Sequence, residues 1–137
     1  MTNERDDLII KKLKEAYIHF KVDENEIEER IEEKMQDIFY ESDEDVIIDG
    51  EKQTGKLLLI AVGSKSCEKE LDGELFPCET IYSVSLFISD KKIEYLLEKN
   101  DCVLRGDDDV DYGEITREKI ALEDIKKIGV RFSTKVL

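Results

Sequence analysis

The chain has little of what breaks or staples a fold: one proline, one histidine, three cysteines and seven glycines in 137 residues. Proline is confined to Pro77 and no tract is rich in serine or glycine, so no interdomain linker is visible. One α+β domain spanning residues 1–137 is the expected organisation, large enough for one core. A lone histidine, His19 between Ile18 and Phe20, leaves a cysteine–histidine dyad or a metal cluster without partners nearby in sequence. Cys67, Cys78 and Cys102 are odd in number, lack a CxxC spacing, and are expected as reduced thiols. No segment approaches the roughly 18 apolar residues of a membrane span. The start, MTNERDDLII, lacks the basic residues and continuous apolar run of a signal peptide, which predicts a cytoplasmic protein with no membrane partner.

What the chain has in quantity is negative charge, and that charge is localised. The formal net charge is −14, and residues 23–45 alone, DENEIEERIEEKMQDIFYESDED, carry twelve acids against Arg30 and Lys34. Within that stretch Ile27, Ile31, Met35 and Ile38 recur at helical spacing, so about a third of a helix can face a core. Asp23 and Glu26 have the spacing of a capping box. On the side away from the apolar stripe stand Glu26, Glu29, Glu33, Asp37 and Tyr40, with Glu28, Glu32 and Phe39 on its flank. The pairs Glu28–Glu32, Glu29–Glu33 and Glu33–Asp37 are like charges at i,i+4, each costing about 0.2–0.5 kcal/mol. Helix stability alone would not select them. A solvated, solubilising face is the plain account; a docking surface for a basic partner is the functional one. Either way the charge repels DNA and RNA.

Around this helix the patterning predicts an α+β fold of order ααβββαβαβ, with about five mainly antiparallel strands. Residues 5–21 place Ile9, Leu13, Ala16 and Phe20 on one stripe, a first helix pairing with the second in a hairpin across VDEN. Val46 opens a strand, VIID, a turn is expected from Asp49–Gly50 through Gly55, and Leu57–Val62, apolar on both faces, reads as a strand interior to the sheet. Residues 64–78 read as a long polar loop and Thr80–Ile88 as a strand. Two further helices are expected, KKIEYLLEK capped by Ser89 or Asp90, and REKIALEDIKKI capped by Thr116. Between them CVLRG reads as a short strand and DDDVDYGE as a turn, and the chain closes with the strand VRFSTKV.

Three motif-like stretches lack parts their chemistry requires. Gly50-EKQT-Gly55-Lys56 has phosphate-loop spacing, but Leu57 replaces the magnesium-binding hydroxyl and a strand follows where a helix N-terminus must face phosphate. Asp107, Asp109, Asp111 and Glu118 match four positions of a calcium loop, yet Tyr112 stands where the template needs glycine and Glu114 where it needs an apolar residue. Cys67 follows an apolar strand, but Glu68 and Glu70 beside it work against a thiolate. No catalytic residue, cofactor or metal site is assigned.

The remaining reading is a non-catalytic binding module. Glu26, Glu29, Glu33, Asp37 and Tyr40, joined by Asp107, Asp108, Asp109 and Asp111, are the candidate partner-binding residues. In size and charge the chain resembles small acidic inhibitors, such as immunity proteins that neutralise bacterial toxins or phage-encoded blockers of host nucleic-acid enzymes. That resemblance implies a nucleic-acid mimic whose partner is a basic protein, a nuclease or another nucleic-acid-binding protein. Two other classes compete: a small enzyme or ligand binder with a pocket between sheet and helix, and a structural or oligomeric component marked by an exposed apolar patch. For the Asp107–Asp111 loop the outcome is specific: the thermal midpoint is expected to be the same in millimolar calcium and in chelator. A rise of several degrees that chelator reverses would restore the calcium loop.

Overall fold

A computed structural model describes residues 4–106 and 110–135. Two helices come first, as the spacing of their apolar residues predicts. α1 (Glu4–His19) buries Ile9, Leu13, Ala16 and Tyr17. α2 (Glu24–Tyr40) buries Ile27 and Ile31. Asp23 caps α2 by accepting the Asn25 N–H on Oδ1 at 3.2 Å, while Glu26 leaves the capping box to pair with Arg30.

The remainder is dominated by antiparallel strands: β1 (Glu44–Ile48), β2 (Glu51–Leu71), β3 (Glu74–Ile88), β4 (Ile93–Leu104), β5 (Val110–Tyr112) and β6 (Thr116–Lys119). They lie in the order β1-β2-β3-β4-β5, with β6 pairing β4 as well. The α+β class, with a helical pair ahead of an antiparallel sheet, therefore stands. Two hairpins close through Asp-Gly. Asp49 and Gly50 have φ of 50° and 82°, and Asp72 and Gly73 have 53° and 83°. Positive φ at both central residues is the type I′ requirement, and its twist suits the flanking strands.

The second of those turns corrects the polar loop expected over residues 64–78. β2 and β3 run on as paired strands to Leu71↔Glu74, leaving only Asp72 and Gly73 outside the ladder. Charged side chains misled the reading because this ribbon extends past the core, where both faces of a strand tolerate polarity. The register sets Cys67 opposite Cys78, with Cα atoms 4.7 Å apart, and a disulfide joins them. The expected three reduced thiols reduce to one, the buried Cys102.

KKIEYLLEK is likewise a strand. Tyr95 and Leu97 pack into the cluster beneath the helices, whereas Leu96 joins Val46, Ile48 and Phe87 in a smaller cluster. A segment with apolar side chains demanded on two opposite faces is served by a strand's alternation and not by one helical stripe. Ser89 does accept the Lys91 and Lys92 N–H groups, but the bonds close the β3–β4 turn. Thr116–Lys119 is strand too, because Arg117 faces Glu98 at 3.6 Å and Lys119 faces Glu94 at 3.7 Å. Only Leu122–Ile125 (α3) and a 3-10 turn, Lys126–Ile128, remain of the last helix.

The closing strand shrinks to one antiparallel bridge, Ser133 to Val62, and Val136 lies outside the described residues. Gly63 makes this approach feasible: a Cβ there would fall 2.5 Å from Val130 Cγ1 and 2.7 Å from the Arg131 carbonyl. β2 thus has β3 along one side over Leu57–Val62; on the other, β1 stops opposite Gly55 and the C-terminal segment takes Val62. No helix among the described residues is long and apolar enough to cross a membrane.

The main cluster places Tyr17 between the helices and the sheet, and burial pushes its hydroxyl up to about 12, against the opposing field of Arg30. The folded value lies above the ordinary one of about 10, so the stability tied to the neutral phenol is whole below pH 10 and is lost as pH rises toward 12. At about 1.4 kcal/mol per unit, the loss is about 3 kcal/mol. Tyr95, whose hydroxyl donates to the Lys12 carbonyl at 2.5 Å, is pushed up by burial as well. Denaturant midpoints measured across that alkaline range are expected to fall less steeply in Tyr17→Phe than in the wild type, with Tyr95 accounting for the remaining slope.

Candidate functional site

α2 is divided lengthwise by what its two cations do. Arg30 Nη1 donates to Thr134 Oγ1 at 2.6 Å and to the Thr134 carbonyl at 3.3 Å, and its guanidinium lies 6.0 Å from the Tyr17 ring. Nη2 reaches Glu26 at 3.2 Å. Lys34 is half-buried in a depression shared with Tyr17, Arg30, Glu33, Leu59, Thr134 and Lys135. Both positive charges therefore occupy the flank that receives the C-terminal segment. On the outer face Glu29, Glu33 and Asp37 are exposed and have no ion-pair partner among the described residues.

The face ends in Tyr40 at 88% exposure, while Phe39, at 86%, stands about 100° round the helix on the Glu28–Glu32 flank. Glu26, Glu29, Glu33, Asp37 and Tyr40 are thus brought together on one side of one helix, with Glu26 alone neutralised by a neighbour. Asp111 is not part of that surface. Asp111 sits on β5, bound to Arg105 at 2.6 Å, and β3 and β4 separate β5 from β2, on which α2 packs. Asp107, Asp108 and Asp109 lie outside the described residues.

The opposite flank of α2 holds a feature that the sequence reading did not assign. Ile10, Lys14 and Ile18 of α1, Val22, and Glu24, Ile27, Glu28 and Ile31 of α2 line an apolar trough of about 580 Å³. Its signal in the sequence is the doubling of apolar residues in α1, Ile9-Ile10 and Tyr17-Ile18. The first of each pair faces the core, and the second lines the trough.

Other chemistry is sparse. His19 is partly buried against the edge of Phe20, and burial together with Lys126 lowers its pKa. Cys67 is committed to its disulfide, and Gly50 and Gly55 belong to a hairpin turn and to β2, with no helix N-terminus between them. Among the described residues no group of three His, Cys, Asp or Glu side chains is placed to hold a metal ion.

Compared with protein-family models, with curated proteins and with solved structures, the chain matches none.

Arg30 anchors Thr134 to α2. Arg30→Ala is expected to cost about 1–3 kcal/mol, the range for hydrogen bonds from a charged donor. Amide exchange at Ser133 and Val62, which bond each other across the bridge, should accelerate more than exchange in the β3–β4 ladder. Uniform acceleration would deny Arg30 its anchoring role.

Proposed function

We propose that this protein is a non-catalytic acidic binding module whose outer α2 face docks on a basic surface of a protein partner, of the kind that otherwise holds nucleic acid. The observation that carries the reading is the run of exposed carboxylates on α2. Glu29, Glu33 and Asp37 are exposed, have no ion pair among the described residues, and form an anionic row that ends at the exposed Tyr40. Carboxylates spaced along a rigid helix steer a cationic groove into place and raise its association rate. Tyr40 adds a flat contact surface with a polar end, a residue type enriched in interfaces. The reading requires only that partner and protein share a compartment.

The test begins with capture from native cytosol at low salt and elution along a salt gradient, which identifies the partner. Purified partner is then measured against wild type, Glu29→Lys/Glu33→Lys, and a control, Glu118→Lys/Glu123→Lys, which reverses exposed acids on β6 and α3. The α2 variant should fold at least as well as wild type, because each new lysine gains opposite-charge neighbours. Its association should slow by about tenfold at low salt, and the deficit should shrink as salt rises. If both variants bind the partner equally well, the row is a solvated face.

A further inference from the structure

We propose that the trough between α1 and α2 receives an amphipathic helix of the basic partner, with the apolar stripe of that helix on Ile10, Ile18, Ile27 and Ile31 and its lysines or arginines over Glu24 and Glu28. The inference rests on the proposed docking of a basic protein and supplies the short-range half of it. α1 carries two apolar rows. One, Ile9, Leu13, Ala16 and Tyr17, is spent on the sheet. The other, Ile10 and Ile18, is not: Ile18 is 57% exposed, and Ile10 is only half-buried.

Ile10 and Ile18 lie eight residues, just over two turns and about 12 Å, apart along α1, close to the two-turn anchor spacing of a helix lying in a groove. The α2 side supplies the floor through Ile27 and Ile31, whose exposure is below a tenth, and the wall through Glu24 and Glu28. The helical row of Glu24 and Glu28 continues through Glu32 toward the exposed Phe39, so this wall stays acidic and ends in an aromatic ring. Facing it from α1, Lys14 is the one cation lining the trough among the described residues.

Charge selects the occupant. A second copy of this chain brings another −14, a net repulsion that opposes close approach at low salt. The carboxylate of a fatty acid and the phosphates of a lipid surface meet the acidic wall. A helix with an apolar stripe and a cationic flank satisfies both floor and wall, and its opposite flank can carry an acid for Lys14.

The probes are labelled helical peptides of three to four turns that share one leucine stripe and differ in their flanks, all lysine, all glutamine or all glutamate, with a fourth that keeps the lysines and replaces the stripe by serine. Fluorescence anisotropy at low salt is read for wild type, Ile18→Ser, Glu24→Lys/Glu28→Lys and Glu29→Lys/Glu33→Lys, each checked for an unchanged thermal melt. The lysine-flanked peptide should bind at least about tenfold more tightly than the glutamate-flanked one. It should lose about tenfold with Ile18→Ser and with Glu24→Lys/Glu28→Lys, and the stripe-less peptide should bind as weakly as the glutamate-flanked one.

If the lysine peptide with and without its stripe binds alike and is insensitive to Ile18→Ser, while Glu29→Lys/Glu33→Lys weakens it, the outer row acts alone and the trough proposal falls. Equal binding of lysine- and glutamate-flanked peptides would overturn the chemistry assigned to the occupant. Absence of binding by every peptide would overturn the trough, leaving the outer row to its own test with the native partner.

Discussion

The pairing of β2 with β3 is the constraint on which the other parts depend. β3 presents Val84, Leu86 and Ile88 to the helices and Phe87 to the opposite side, where Val46, Ile48 and Leu96 meet it. One strand therefore carries two clusters, and its neighbours must supply apolar side chains on alternate faces. β4 does so with Tyr95 and Leu97 on one face and Leu96 on the other. The β1–β2 hairpin curls over the second face until the Asp49 N–H bonds the Arg117 carbonyl on β6. With that face closed by strands, the helical pair has only the first face to pack on. α2 is left with one side buried and two sides free.

Those free sides carry an arrangement that helix energetics opposes weakly and packing overrides. The like-charge pairs on α2 sum to about 1 kcal/mol. Burying Ile27 and Ile31 contributes about 1.5–3 kcal/mol each, before the Arg30 bonds to Thr134 are counted. A helix anchored this firmly on one side can hold carboxylates on the other at little cost to the fold. The same anchoring explains why the cations are where they are: Arg30 is more useful bridging α2 to the C-terminal segment than relieving Glu29 or Glu33.

Sequence patterning reached the helices and the acidic face because a period of 3.6 and a run of like charge are both local signals. It also found the first Asp-Gly turn, but ran it on to Gly55, because the polar residues 51–54 hide the start of β2. The identical turn at Asp72–Gly73 escaped because Glu68, Lys69, Glu70 and Glu74 around it mask the strands, and those residues are polar by virtue of lying beyond the core. Ile93, Leu96 and Leu97 fall at i, i+3 and i+4, which mimics a helical stripe; only the second cluster, a tertiary fact, shows Leu96 to be needed on the opposite face. The Arg117–Glu98 and Lys119–Glu94 pairs behind β6 are cross-strand in the same way and leave no mark at short range. The trough was half visible, in the paired apolar residues of α1, but whether a second stripe is covered depends on how closely two helices approach.

The two free sides of α2 act over different ranges. Exposed carboxylates are felt across roughly a Debye length, about 8–10 Å at physiological salt, so in the proposed complex the outer row would influence encounter and orientation and contribute modestly to its lifetime. Apolar contact works only once water has left the surface, and it governs dissociation. A protein that bound through its outer row alone would associate quickly and release quickly, with affinity collapsing as salt rises. Ile10 and Ile18, set beside Glu24 and Glu28 on the adjoining flank, supply a short-range contact that salt does not screen. For the proposed cationic partner they also narrow the choice: a disordered basic tail would satisfy the carboxylates, but only a helix that pairs its charges with an apolar stripe would satisfy both sides at once.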